Sequence, residues 1–366
     1  MAGFGQSGPS ARGSGRPGQR EDTMTKKLYI SALALSAAMS ASAAMAEELN
    51  VVCSNEQTWC DLMAQNFEAA TGIDVAMVRK STGEVLAQLR AEKGNPKVDV
   101  WWGGTGDPHI IAANEGLTQA TGVDVSGLLG WAQNMTNMTG GKAVGVHVGL
   151  LGFIYNTEVL AEKNLPAPAC WRDLAKPDYK GEIQVANPNS SGTAYTELAT
   201  LVQLFGEDEA FKLLAEIGAN VNQYTKSGSA PGKATARGET TIGIGFMHDM
   251  VKLKKEGFPV EIVAPCEGTG YELGAVSVVE GTPHLEQAKK WVEYVISAEG
   301  QSPGLEVGVY NIPSNPGAAT DPEAPDMASV KLIDYDFATY GASDTRERLL
   351  ARWEKDVKGA GGAIEE

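Results

Sequence analysis

Small polar residues and glycines follow a predicted strand at four places in this sequence. These places are Ser54-Asn55, Ser81-Thr82-Gly83, Gly104-Thr105-Gly106-Asp107 and Ser190-Ser191-Gly192-Thr193. Each would stand at the start of a helix, where free backbone N–H groups and the positive end of the helix dipole attract anions. One such stretch alone indicates little, because ordinary helix caps use the same residues. Four of them, spread over both halves of the chain, favour a shared anion-binding cleft.

A second set of polar side chains comes later in the chain. His248 and Asp249 directly follow the predicted strand 241–246, and Glu272 lies in the glycine-rich segment 268–274. Carboxylates accept hydrogen bonds and an imidazole can donate one, which suits the recognition of hydroxyl groups. A solvated turn is the alternative interpretation of both segments.

The sequence predicts a binding protein without catalytic residues. His248 and Asp249 are neighbours at a predicted strand end and would point in opposite directions. The carboxylate could then not orient the imidazole as a hydrolytic triad requires. An exported phosphatase would need a nucleophile or a metal cluster, and we find neither at a suitable spacing.

An iron site is the alternative that the tyrosines leave open. Ferric ion outside the cell is often held by phenolates together with a carboxylate or a histidine. Tyr195 and Tyr224 are the candidate ligands, although no two tyrosines are adjacent in the chain. No other metal and no cofactor is expected.

Predicted strands alternate with predicted helices along the chain, which indicates an α/β fold with a mostly parallel sheet. The tryptophans Trp101 and Trp102 end a buried strand and are expected in the core. Strands are predicted at 48–53, 73–78, 98–102, 182–186, 241–246, 260–264 and 274–279, with two short strands within 144–155. Helices are predicted at 59–70, 85–93, 194–204, 207–217, 285–297 and 346–357.

The N-terminal segment is typical of a secretory signal peptide. Lys26 and Lys27 precede an apolar run that ends in Ala44-Met45-Ala46, a small-x-small cleavage pattern. We expect translation to start at Met24, residues 1–46 to be a leader and signal peptide, and the mature protein to be exported. A membrane anchor is the alternative, but the apolar run of roughly 18 residues is short and rich in small residues.

Composition excludes two classes of partner. Removing the leader's five basic and two acidic side chains leaves 25 basic and 44 acidic ones in the mature chain. Such an excess of negative charge argues against binding nucleic acid or an anionic membrane surface. The net charge does not exclude an anionic small molecule as a ligand, because the local field of a pocket can oppose the global charge.

The four cysteines of an exported chain suggest two disulfides, with three pairings available. Cys53 and Cys60 are seven residues apart, across a strand end and a helix start, which favours a local bridge. Cys170 and Cys266 would then close a long loop. Zinc is the alternative, but the chain has no Cys-x-x-Cys pair and no histidine near these cysteines.

The mature chain carries a set of segments in a fixed order: LNVVCSNEQ, STGE, DVWWGGTGDPH, LGFIYN, YKGEI, NPNSSGTAYT, GFMHDM and CEGTGYE. Together these segments resemble a known family, the periplasmic solute-binding proteins of ABC importers in their ferric-iron-type branch. The resemblance implies a two-lobed type II periplasmic-binding fold with the ligand in a cleft between the lobes. It also implies hinge closure, delivery to a membrane permease driven by an ATPase, a periplasmic location and a monomeric protein.

Lobe boundaries follow from the same resemblance. Lobe 1 would comprise 47–145 and about 266–315, and lobe 2 would comprise 146–265 and about 316–366. The hinge would then lie near 146–153 and 263–274.

The motifs resemble most the hexose-phosphate-binding relatives within that branch. Iron binders carry a tandem tyrosine pair, whereas Tyr195 stands alone here between Ala194 and Thr196. The resemblance implies phosphate contacts from Ser81, Thr82, Ser190, Ser191, Gly192 and Thr193. It implies sugar contacts from Thr105, Asp107, His248, Asp249 and Glu272. The expected ligand is thus a small anionic solute, in the first place a sugar phosphate, with ferric ion, phosphonates and polyamines as alternatives.

Overall fold

The computed structural model of this protein describes residues 48–358 and the backbone of 364–365. The expected leader and signal peptide, with the start at Met24 and cleavage after Ala46, lie outside the described residues. Within the described part of the chain, no helix combines the length and the apolar character that crossing a bilayer requires.

The described residues form a mixed α/β structure. The strands are β1 (Leu49–Cys53), β2 (Val75–Arg79), β3 (Val100–Trp102), β4 (Thr118–Gln119), β5 (Val144–Asn156), β6 (Ile183–Ala186), β7 (Val221–Thr225), β8 (Ile242–Phe246), β9 (Val260–Val263), β10 (Tyr271–Val279), β11 (Ile312–Pro313) and β12 (Ile364–Glu365). The helices are α1 (Gln57–Thr71), α2 (Thr82–Ala91), α3 (Gly106–Asn114), α4 (Gly130–Met138), α5 (Thr157–Glu162), α6 (Gly192–Phe205), α7 (Glu207–Gly218), α8 (Ala230–Ala236), α9 (Met247–Lys255), α10 (Leu285–Val295), α11 (Ala298–Gln301), α12 (Phe337–Tyr340) and α13 (Ser343–Asp356).

These strands form a sheet with two halves that share β5. Its order is β12-β7-β6-β8-β5-β10-β3-β1-β2, with β4, β9 and β11 paired beside it. Half A comprises β1–β4, β10, β11 and the start of β5, and half B comprises β6–β9, β12 and the end of β5. Parallel pairs dominate the outer strands of each half, whereas β5 runs antiparallel to its neighbours. The predicted α/β class is confirmed.

Strand β5 corrects one prediction. The sequence predicts two short strands within 144–155, but the structure has one strand of 13 residues. Its start pairs with β10 as far as Leu150, and from Leu151 it pairs with β8. The change of partner needs no break in the chain. Strands β10 and β8 lie on opposite sides of β5, and each pairs with a different stretch of it. The chain crosses between the halves here, within the expected hinge segment.

Helix α2 shows how local sequence positions the site. Ser81 is its N-cap, and the Ser81 N–H donates to Glu84 Oε2 at 3.1 Å, which completes a capping box. The helix begins at Thr82, three residues before the predicted start. Its N-terminus therefore directly follows β2 at the edge of the sheet.

Separate apolar clusters hold each half together. Trp102, Trp291 and Phe67 pack in half A, and Phe153 and Trp171 pack in half B. Trp101 and Trp102 are buried, as predicted. Both expected disulfides are present, Cys53–Cys60 and Cys170–Cys266. The first ties the end of β1 to α1 and holds the polar segment between them in place.

Candidate ligand-binding cleft

A cleft of about 700 Å³, counted with its open mouth, lies between the two halves. Half A contributes Ser54, Asn55, Glu56, Trp59, Arg79, Ser81, Thr82, Gly104, Thr105, His147, Glu272, 307–309 and Asn311. Half B contributes Ser191, Gly192, Thr193, Gly228, Ser229, Phe246, His248, Asp249 and Lys252.

Helix N-termini from both halves converge at one end of this cleft. Thr105 is the N-cap of α3 and Ser191 is the N-cap of α6, and both line the cleft beside the start of α2. A Cβ atom at Gly192 would overlap the hydroxyls of Thr82 and Thr105, so only glycine permits this approach. Three positive helix ends therefore meet where a ligand anion could lie.

Arg79, at the end of β2, adds a full positive charge to this end. Its Nε donates to Asn55 O at 3.2 Å, Nη1 to Ser81 Oγ at 3.3 Å, and Nη2 to Ser227 Oγ at 3.2 Å. The last bond crosses from half A to half B. Sequence reasoning missed Arg79, although a charged residue two positions before the Ser81 cap was a usable signal.

Further polar contacts join the halves around the cleft. The Gly83 N–H donates to Ser190 O at 3.0 Å, and Ser81 Oγ donates to Lys226 O at 3.3 Å. Lys233 Nζ lies 2.5 Å from Glu56 Oε2. The structure is therefore a closed arrangement of the two halves.

Several buried polar atoms of the cleft are left without partners. Within the described residues, Asn55 Nδ2, Thr105 Oγ1 and His248 Nδ1 make no hydrogen bond. Buried polar groups are nearly always satisfied in folded proteins, so such atoms require an explanation. All three belong to cleft-lining residues, where a ligand or its water shell could bind them.

Two imidazole–carboxylate pairs lie in the other part of the cleft. His147 Nε2 is 3.3 Å from Glu272 Oε1, and His248 Nε2 is 3.5 Å from Asp249 Oδ1. Gly149 makes room for them, because a Cβ there would lie 2.5 Å from His248 Cε1 and 2.8 Å from Glu272 Oε1. A side chain at this position would therefore displace both polar groups.

Burial changes the protonation of the second pair. Burial, with a smaller contribution from His147, lowers the pKa of His248 to about 3, so this ring is neutral at physiological pH. Burial, followed by the nearby carboxylates Glu56 and Glu272, raises the pKa of Asp249 well above its usual range. The second pair thus combines a neutral imidazole with a carboxyl group of raised pKa, and both can exchange hydrogen bonds with hydroxyl groups.

The elements that carry this pair correct the sequence prediction. His248 and Asp249 do not close a strand; they lie in the first turn of α9, which follows β8 without a loop. Both side chains therefore line the cleft, and the argument that they point apart was wrong. A triad is still not formed, since no serine bonds to the His248 ring within the described residues.

Residues 300–304, Gly-Gln-Ser-Pro-Gly, match the Gly-x-Ser-x-Gly pattern of a hydrolase nucleophile, which the sequence analysis overlooked. In the structure Ser302 begins a 3-10 helix after α11, and its hydroxyl donates to Ala298 O at 2.6 Å. Ser302 does not line the cleft. The required strand–turn–helix setting is therefore missing at this position.

Eleven of the thirteen predicted ligand-binding residues line the cleft. They are Ser54, Asn55, Ser81, Thr82, Thr105, Ser191, Gly192, Thr193, His248, Asp249 and Glu272. Asp107 does not, because it lies on the far side of α3, where Tyr335 OH donates to its Oδ1 at 3.5 Å. Ser190 does not either, because its hydroxyl donates to Asn187 O and Lys226 O.

The two tyrosines of the iron alternative lie outside the cleft. Tyr195 is fully buried, and its hydroxyl donates to Tyr340 O at 2.8 Å. Tyr224 packs against Trp353 with ring centroids 5.2 Å apart. Burial raises the pKa of both phenols, which opposes the phenolate form that ferric ion needs. These positions correct the alternative that made them cleft ligands.

Comparison with known proteins gives the family. Residues 116–339, more than half of the chain, match the sequence pattern of bacterial extracellular solute-binding proteins. The chain belongs to this family. Its fold is that of the type II periplasmic binding proteins, which the solved relatives share.

Three relatives of this solute-binding protein are informative. The periplasmic binding protein AfuA from Actinobacillus pleuropneumoniae, solved with exogenous fructose 6-phosphate, is 43% identical, with a TM-score of 0.83 over 85% of this chain and 99% of AfuA. An uncharacterized protein of Haemophilus influenzae is 42% identical over 89% of this chain and 95% of its own. A Salmonella typhimurium periplasmic protein named for 2-aminoethylphosphonate binding is 26% identical over 75% of this chain and 80% of its own.

Proposed function

We propose that this protein captures a sugar phosphate outside the cytoplasm and delivers it to an ABC importer. The observation that supports this most is the division of one closed cleft into two chemically different parts. Arg79 and the helix ends form a part suited to a phosphate, and the His147–Glu272 and His248–Asp249 pairs form a part suited to hydroxyls.

Phosphate would bind among Arg79, Ser81, Thr82 and the start of α6. Hydrogen bonds from charged donors and helix N-termini are strongest when closure removes water from them. Asn55 and Thr105, whose side chains keep unpartnered atoms, would complete the shell of donors. The net negative charge of the protein does not oppose this, because the local groups face the anion directly.

Sugar hydroxyls would bind at the other part of the cleft. Glu272 and Asp249 would accept hydrogen bonds. His248 would donate or accept one at its unpartnered Nδ1, depending on the tautomer of the ring. Trp59 lines the same space and offers a flat apolar surface for a sugar ring. The AfuA structure with fructose 6-phosphate supports this ligand class, because that protein is 43% identical to this chain.

Delivery follows from the family. The closed form would dock on a membrane permease whose transport an ATPase drives, and residues 1–46 would direct export to the periplasm. N-terminal sequencing of the exported protein checks this last point. A mature chain that begins at Glu47 supports it, and a chain that retains residues before Ala46 contradicts it.

Matched arginine variants test the phosphate part. Arg79→Met should lose fructose 6-phosphate binding by about a hundredfold, because a charge-assisted hydrogen bond to a buried anion contributes about 1.5–3 kcal/mol and the charge is lost as well. Arg172→Met is the control, since Arg172 pairs with Glu209 at the surface of half B. Equal affinity of the two variants for fructose 6-phosphate would show that Arg79 does not bind the phosphate.

A phosphonate is the second candidate, favoured by the Salmonella typhimurium relative. A short aminophosphonate would occupy the Arg79 part and leave the Glu272 part largely unused. Glu272→Gln therefore separates the candidates: it should weaken fructose 6-phosphate binding and leave 2-aminoethylphosphonate binding unchanged.

A further inference from the structure

Asp107 and Arg346 are buried charged side chains that belong to opposite halves of the sheet. Asp107 lies in the first turn of α3, which packs on β10 in half A. Arg346 lies on α13, whose Leu349 and Trp353 pack in the core of half B. The two residues are only 1% and 4% exposed. Neither side chain lines the ligand-binding cleft.

Each of these side chains keeps one atom unsatisfied. Asp107 Oδ2 and Arg346 Nη1 make no hydrogen bond within the described structure, and no ion pair within 4.0 Å joins the two residues there. They are nevertheless linked through one buried tyrosine cluster. Tyr335 OH donates to Asp107 Oδ1 at 3.5 Å, the Tyr335 and Tyr340 rings lie 6.1 Å apart, and Tyr340 O accepts from Tyr195, whose ring faces the Arg346 guanidinium. Burial raises the pKa of Asp107 to about 7, and the Arg346 guanidinium opposes this rise. An unpaired buried charge is costly, and the free atoms are an acceptor and a donor.

Arg346 also supports the helix end that lines the cleft. Its Nη2 donates to Pro188 O at 3.3 Å, and its guanidinium lies 4.1 Å from the ring centroid of Tyr195. Pro188 comes three residues before Ser191, the N-cap of α6, and Asp107 comes two residues after the N-cap of α3. The two side chains thus lie behind the helix ends that meet in the cleft.

The outer surface of α13 contacts half A independently. Ser343 Oγ donates to Glu115 Oε1 at 2.6 Å and accepts from Arg90 Nη2 at 2.7 Å. Glu347 lies 3.5 Å from Arg90. Helix α13 therefore contacts half A on its exposed side and packs in the core of half B on its buried side.

We propose that Asp107 and Arg346 are positioning residues, whose buried groups, joined through one water, hold the two halves in the closed arrangement that the structure shows. The contact sets how closely α3 and α6 approach, and therefore how well Thr105 and Ser191 fit the ligand. Its effect on affinity rests on the proposed function, whereas its effect on closure does not.

Affinity for fructose 6-phosphate, measured by calorimetry, tests the contact. Asp107→Asn and Arg346→Met should each weaken binding by about tenfold, the usual size of coupling between a site and a distant contact. The double variant should be no weaker than the weaker single one, because both changes remove the same interaction. Arg346→Lys, which keeps the charge, should recover most of the affinity. Independent, additive losses would overturn the proposal.

Glu197→Gln is the matched control. Glu197 is also a buried carboxylic acid, but it faces an apolar cavity within half B and not the contact between the halves. This variant should bind fructose 6-phosphate like the unchanged protein. Equal losses in Glu197→Gln and Asp107→Asn would show a general effect of altering buried acids, and would overturn the positioning role.

Closure itself can be measured without ligand. Nitroxide labels attached through Gln65→Cys and Lys212→Cys would report the distance between exposed helices of half A and half B. Asp107→Asn and Arg346→Met should shift the distribution towards longer distances, and Glu197→Gln should not. Unchanged distances in all three variants would overturn the proposal. If the unchanged protein does not bind fructose 6-phosphate, the proposed function fails while this measurement still decides the contact.

Discussion

Lys233 Nζ lies 2.5 Å from Glu56 Oε2 and joins α8 of half B to the segment before α1 of half A. Burial alone would raise the pKa of Glu56, but the ammonium of Lys233, a hydrogen bond from Ser229 and the charge of Arg79 together outweigh burial and lower the pKa. Glu56 is therefore ionised, and the pair is an ionic contact at the edge of the cleft.

Lys233→Met should therefore speed ligand release. An exposed or half-exposed ion pair contributes about 0.2–1 kcal/mol, so dissociation should be about 1.4-fold to fivefold faster. Stopped-flow measurement of the dissociation rate at low and at high salt checks this. Salt screens the ion pair, so the rate should depend more on salt in the unchanged protein than in the variant. Lys254→Met is the control, since Lys254 pairs with Glu261 within half B. The same acceleration in the control would show that the cross-half pair has no special role.

Gly192→Ala should prevent full closure without unfolding the protein. The new Cβ would overlap the hydroxyls of Thr82 and Thr105 on the other half. Overpacking of this kind costs about 1–3 kcal/mol, which corresponds to roughly tenfold or more in affinity. Thermal unfolding should change little, because alanine is favourable in a helix.

Gly232→Ala provides the comparison for that variant. Its Cβ would meet Leu253 Cδ1 at 3.5 Å, an ordinary contact on helix α8. Calorimetry with fructose 6-phosphate and small-angle scattering should separate the two variants. If Gly192→Ala binds as tightly as Gly232→Ala, the close approach of α6 to Thr82 and Thr105 is not needed for binding.

Glu197 should make the stability of the protein depend on pH. Burial raises its pKa to about 8, so the folded protein holds a proton that the unfolded chain releases near its ordinary value. The unfolded state then binds fewer protons between these two pKa values, and the free energy of unfolding falls as pH rises through this window. Denaturant unfolding at a series of pH values measures the slope. Glu197→Gln should remove this part of the slope, and an identical slope in the variant would assign it to other groups.

Local signals predicted many of the residues that line the cleft. The capping box of Ser81 with Glu84 needs only neighbouring residues, so the start of α2 was recognisable from the sequence to within three positions. Hydroxyl-rich caps after strands predicted which loops face the cleft, because the carboxyl ends of parallel strands share one edge of a sheet.

Residues whose direction depends on distant partners were missed. Thr105 and Asp107 belong to one predicted loop, but in the structure Thr105 is the N-cap of α3 and Asp107 lies in its first turn. Two positions along a helix rotate a side chain by roughly 200°, so Thr105 faces the cleft and Asp107 faces Tyr335. His147 lies in β5 between two buried valines and alternates to the other face, where only the pairing with β10 brings it to Glu272. No local pattern in the sequence carries that information.

The central claim is that one cleft binds both parts of a sugar phosphate. Calorimetry on the chain without residues 1–46 tests it most directly, with fructose 6-phosphate, fructose, inorganic phosphate, 2-aminoethylphosphonate and ferric citrate as ligands. We predict tight binding of fructose 6-phosphate and far weaker binding of fructose and of phosphate alone, because each of these fills only one part. Binding of fructose 6-phosphate no tighter than phosphate, or tight binding of ferric citrate or the phosphonate instead, would contradict the account.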